Sequence, residues 1–132
     1  MINEPLSEQL AVIPKLYETE HIPHEDKIVY VHFHIAQSHF FIVEFDQVDT
    51  MFGFCILNNN LEMSEWGYVS FEELKSIKIF GLYEVEFDTQ WKPIPARDVD
   101  LIRQGGGIFS STDSAPNRDP WTWYSLRSQP NT

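Results

Sequence analysis

The sequence predicts an α+β domain: an antiparallel sheet of about five strands built on a central hairpin, with short helices packed on it. Three observations lead there. Residues 27–35 and 39–46 are two β-branched and aromatic runs separated only by Ala36-Gln37-Ser38, which is the pattern of a hairpin. Three further apolar or alternating runs follow, Met51–Leu57, Glu65–Val69 and Leu82–Asp88. The helical signals between and around them are brief and sit next to prolines, glycines or capping residues.

In chain order, Leu6, Leu10 and Ile13 recur at helical spacing, and Pro14 ends that segment. Residues 15–26 read as an acidic, irregular connector. In the hairpin, setting Ile35 against His39 places Phe33 opposite Phe41, Val31 opposite Val43 and Val29 opposite Phe45. These apolar pairs then share one face. The other face takes Tyr30, His32 and His34 with Phe40, Ile42 and Glu44. Met51–Leu57 is apolar at nearly every position, so both its faces should be buried. Asn58-Asn59-Asn60 is a turn that tolerates left-handed backbone.

Ser70-Phe71-Glu72-Glu73 is a capping box, with the Ser70 hydroxyl able to accept the Glu73 amide. It predicts a helix over residues 71–77. Leu82–Asp88 alternates, with Tyr83, Val85 and Phe87 on one face and Leu82, Glu84, Glu86 and Asp88 on the other, a fifth strand with one solvated side. Pro95 suits the start of a last helix, and Gly105-Gly106-Gly107 ends it. The organisation is one domain over residues 1–104 and a Gly, Ser and Pro-containing tail over 105–132. Within the tail, Trp121, Trp123 and Tyr124 form an aromatic cluster suited to docking on this domain or on a partner.

The 132 residues carry a formal charge of −11, and it is unevenly placed. Residues 1–104 hold 18 acids and 7 bases, whereas the remainder holds 2 of each. Such a surface repels nucleic acid and anionic membranes and suits a protein with a basic surface. Nothing in the sequence is long and apolar enough to span a membrane, and the N-terminus does not read as a signal peptide. Cys55 is the single cysteine, so an internal disulfide is excluded. A cytoplasmic setting and a homodimer are both compatible with this.

The chemistry-bearing patterns are sparse. His32 and His34, two apart on one strand face, could point two imidazoles at a metal, with Glu44 or His39 as a third ligand. The expected pairing sets Phe40 and Ile42 across from them, so neither a metal nor a cofactor is expected. Glu84, Glu86 and Asp88 form an acidic ladder with neighbours about 6.5–7 Å apart. It is a candidate partner-binding face, set against the simpler reading of a solvated strand. No phosphate-binding glycine loop, nucleophile elbow or HExxH helix occurs, and no catalytic residue is assigned. Trp66 and Trp91 read as core or interface residues.

The run Pro14–Glu20 followed by Asp26–Phe33, Gly53-Phe54 with Leu57-Asn58, Glu65–Tyr68 before Ser70–Leu74, and Trp91-Lys92-Pro93 together resemble a domain-of-unknown-function family, number twenty-nine fifty-eight. The resemblance covers roughly residues 14–100 and leaves out the tail. It implies a small bacterial protein carried on plasmids, integrative conjugative elements and phages, often beside anti-restriction or partition genes. It carries over no catalytic residue. The expectation is therefore a non-catalytic protein-binding protein of a mobile element, inhibiting a host restriction or CRISPR-type defence complex. The alternatives are a small enzyme or ligand-binding domain using the His32, His34 and Glu44 face, and an accessory factor for plasmid or phage maintenance.

Overall fold

The hairpin forms, one residue out of the expected register. Strand β1 (Val31–Ile35) and strand β2 (Ser38–Phe45) are joined by Ala36 and Gln37 alone, so Ile35 faces Ser38, Phe33 faces Phe40 and His32 faces Phe41. Ala36 takes a φ of 51°, the left-handed value that a tight two-residue turn accepts at its first central position. Ser38 thereby becomes a strand residue, and its hydroxyl accepts the Asn58 amide at 2.9 Å. The slip exchanges faces: Phe41 and Val43 lie opposite to Phe33, and His39 joins the histidine side. Burial does not oppose the slip, because Phe33, Phe40, Phe41 and Val43 are all buried whichever face they take.

The computed structural model describes residues 1–107. Its central sheet contains three more strands, β3 (Thr50–Ile56), β4 (Glu65–Ser70) and β5 (Glu86–Phe87). Their spatial order is β4-β3-β2-β1-β5, and every pairing is antiparallel. The architecture is the α+β sheet with short helices that the sequence predicts. All of β3 after Thr50 is buried, as its continuous apolar run requires.

Each face of the sheet has its own core. One joins Val31, Phe33, Phe40, Ile42, Phe45, Met51 and Val69 to Ile13, Val85 and the buried Phe71 and Leu74 of helix α2 (Phe71–Ser76). The other joins Phe41, Val43, Phe52, Phe54, Trp66 and Tyr68 to Ala96, Val99 and Ile102, the last on helix α3 (Asp100–Gln104). The first helix, α1, is confined to Ser7–Ala11. Helix α2 starts where the capping box places it: the Glu73 amide donates to Ser70 Oγ at 3.1 Å. Asp49 reinforces this start, accepting from Ser70 Oγ and from the Glu72 amide, both at 2.7 Å.

At Val43 the register of β2 against β3 shifts, so Ile42 faces Gly53 while Glu44 faces Phe52. This bulge puts Val43 and Glu44 on the same side of the sheet. Beside it the strands come unusually close: a Cβ on Gly53 would lie 2.0 Å from the Phe41 carbonyl oxygen.

The alternating run 82–88 is a strand in two pieces. Tyr83–Glu84 pairs with Lys78–Ile79 as a separate hairpin, and only Glu86–Phe87 joins the main sheet. Ile2 then bridges to Glu86 in parallel, donating to the Val85 carbonyl at 2.8 Å and accepting from the Phe87 amide at 2.9 Å. Ile28–Val29 forms a further small ladder with Ile94–Pro95. No helix among the described residues is long and apolar enough to cross a membrane.

Candidate functional site

The register of the hairpin gathers three histidines on one patch. His34 lies directly across from His39, and His32 lies across from Phe41. Strand β5 adds Glu86 opposite His34, and the Asp88 amide donates to the His32 carbonyl at 2.9 Å. The His32 ring lies parallel on Phe41 with centroids 4.5 Å apart, and Trp91 tilts against both rings. Trp91 is itself held by its indole N–H, which donates to the Val29 carbonyl at 2.9 Å.

Both nitrogens of His32 have partners. Nδ1 is 2.9 Å from Asp88 Oδ2, and Nε2 is 2.9 Å from His39 Nδ1. Burial pushes the His32 pKa down to about 4, against the opposing pull of the Asp88 hydrogen bond. Burial, with the nearby His34, also lowers His39. Burial works against the Asp88 carboxylate, yet the His32 hydrogen bond and the Gln90 amide hold it below its usual range. A neutral His32 beside a carboxylate must carry its proton on Nδ1. Its Nε2 then accepts, so His39 donates from Nδ1 and keeps an acceptor lone pair on Nε2.

Glu44 is not part of this patch. It lies five positions along β2 from His39 and, beyond the bulge, is fully buried under the connector. Its carboxylate accepts the Tyr17 amide at 3.0 Å and the Thr19 amide at 3.1 Å, as well as the Thr19 hydroxyl. The buried Lys27 ammonium donates to the Thr19 carbonyl and to its hydroxyl at 2.8 Å, with Nζ 4.0 Å from Glu44 Oε2. The expected His32, His34 and Glu44 face is therefore corrected to His32, His34, His39 and Asp88. Glu44 instead pins residues 17–19 to the sheet. A lone glutamate in an apolar strand was the available signal for that role; nothing local marked Lys27 as its neighbour.

The acidic ladder is divided by the break in its strand. Glu86 and Asp88 share the histidine face, while Glu84 sits on the Lys78–Ile79 hairpin and accepts the Met1 ammonium at 2.7 Å. That ammonium holds the Glu84 carboxyl below its usual range. Trp121, Trp123 and Tyr124 lie outside the described residues. Cys55 is buried and its thiol pKa is raised by burial, which suits packing and not nucleophilic chemistry. Among the described residues no three of His, Cys, Asp and Glu are arranged to hold a metal ion.

The fold is an α+β sheet domain covered on both faces, with a closed histidine–aspartate patch at one edge. The chain belongs to the family described as protein of unknown function (DUF2958), whose model matches residues 2–96. No curated protein and no solved structure matches it.

Proposed function

We propose that this chain is a non-catalytic, acidic binding protein of a mobile genetic element that docks on a basic surface of a host defence complex and inhibits it. The observation that carries the reading is charge. Within residues 1–104, burying Glu44 and Lys27 together leaves 17 acids and 6 bases for the rest of the domain, from 18 and 7. The groups most capable of chemistry are occupied in holding the fold: Glu44 anchors a connector, His32 is closed by Asp88 and His39, and Cys55 is packed. A field of one sign steers association with a basic partner and weakens as salt screens it. The test is capture by the tagged full chain from host lysate, then binding of the purified partner at about 50 and 500 mM salt, where the Debye length shrinks severalfold. A basic component of a defence complex, bound several-fold more weakly at high salt and inhibited by the chain, is the expected result. Salt-independent binding to an acidic protein would end this reading.

One observation favours a second reading, a small enzyme or ligand-binding domain. The chain of hydrogen bonds from Asp88 through His32 to His39 leaves His39 Nε2 as a base on a half-buried side chain. Imidazole resonances of His34 and His39 that stay unmoved by a panel of small metabolites would reject it.

A further inference from the structure

The Lys78–Glu84 hairpin ends in a turn whose sequence contradicts its backbone. Phe80 and Gly81 occupy the two central positions with φ of 55° and 67°, and the Leu82 amide closes the turn on the Ile79 carbonyl at 3.0 Å. Turns of this shape favour Asn-Gly, because Asn tolerates left-handed backbone and a bulky side chain does so poorly. Phe80 is 87% exposed, so its ring contributes little to the domain's own core. Leu82 and Tyr83 beside it are 77% and 59% exposed. By contrast Ile79, which pairs with Tyr83, and Ile77, just ahead of the hairpin, are partly buried and pack against the core. The first arm belongs to the fold, and the turn with the start of the second arm presents three large, mostly apolar side chains to the surroundings at a conformational cost.

We infer that Phe80, with Leu82 and Tyr83, is an anchor that inserts into an apolar pocket of the basic protein partner. This rests on the binding reading above and names the element that would supply its affinity. Size and charge select the occupant. Large side chains of this kind present about 150–250 Å² each, so the tip offers roughly 400 Å² at its exposures. That is near half of the ~800 Å² each side contributes to a standard interface. Two copies meeting tip to tip would fall short of a stable dimer, and each would bring a charge of −11. Two aromatic side chains and a leucine filling a pocket match the way a few residues dominate binding energy, while the net charge of the whole chain favours a basic partner.

The experiment uses the full chain with a photoreactive benzoylphenylalanine at position 80 in host cells. A control carries it at position 48, where Val48 is 80% exposed on a different turn. The expected product is a cross-link from position 80, and not from 48, to a basic protein. That protein, purified, should bind Phe80→Asn at least tenfold more weakly than the unaltered chain, while the variant melts at the same temperature or higher. A cross-link to residues 108–132 of the same chain, a cross-link to a second copy, or no cross-link at all overturns the anchor. So does a lowered melting temperature or an unchanged affinity in Phe80→Asn. If a partner is still held in a salt-sensitive way while Phe80→Asn is without effect, the anchor alone fails. If no basic partner is captured by any route, the binding reading fails with it.

Discussion

His32 Nδ1 and Asp88 Oδ2 lie 2.9 Å apart, joining the hairpin to the edge of the sheet through one partly buried hydrogen bond. The two residues are 56 positions apart in the chain, so the bond exists only when β5 has docked. It also fixes the tautomer of an imidazole that burial holds neutral.

The first expected outcome is acid sensitivity with a definite window. His32 has a folded pKa near 4 and an ordinary value of 6.5, so between these the unfolded chain binds the proton first. Its contribution is intact above about pH 6.5 and is lost as the pH falls towards 4, amounting to about 3 kcal/mol. Urea midpoints of the unaltered chain and His32→Gln should therefore converge between pH 7 and pH 4.5. Parallel curves would show that His32 does not titrate on unfolding.

The buried pair behaves differently. Glu44→Gln leaves Lys27 buried without its carboxylate, and breaking such a pair costs about 3–5 kcal/mol. Replacing both together, as Lys27→Met with Glu44→Gln, should cost less than the sum of the single changes. Denaturant unfolding of the four proteins in this cycle checks it; strict additivity would mean that Thr19 holds each residue independently.

Gly53 tests the bulge. Its Cβ position is occupied by backbone of the neighbouring strand, which cannot move aside like a flexible side chain. Gly53→Ala should cost at least about 1–3 kcal/mol, the usual range for overpacking. A melting curve superimposable on the unaltered chain's would show that β2 and β3 can separate at no cost.

Metal content gives a fourth outcome. With Nδ1 of His32 on Asp88 and Nε2 on His39, coordination would require breaking one of these bonds. Elemental analysis of purified protein should find well under one zinc, iron or manganese per chain. A stoichiometric metal that disappears in His32→Ala would restore the enzyme reading.

Much of the fold is legible in the residues. The apolar run of β3, the Ser70 cap and the Asn58-Asn59 turn, at φ of 52° and 58°, each express a local preference that packing does not override. The register of the hairpin was not legible for a physical reason. With both faces of the sheet buried, alternation ceases to tell inside from outside, and the two-residue turn at Ala36 decides instead. The candidate site inherits that ambiguity: His39 reaches His32 only in the true register. Likewise, the alternation of 82–88 is real for Val85 and Phe87, yet it does not reveal that the strand changes partners after Glu84. The buried Lys27 was hidden because its carboxylate lies 17 residues downstream with no local pattern linking them.

The pairing of Ile28–Val29 with Ile94–Pro95, and of β1 with β5, also governs how the chain must be made. The hairpin that ends at Phe45 leaves the ribosome long before its edge partner at Glu86. At about 5–20 residues per second, that wait is roughly 2–8 s. During it the face of Phe33 and Phe40 gains Phe71 and Leu74, whereas the face of Phe41 must wait still longer, for Ala96, Val99 and Ile102. The period of greatest danger for this domain is thus its own synthesis, when a chaperone near the tunnel exit would find a bare apolar face on the ribbon.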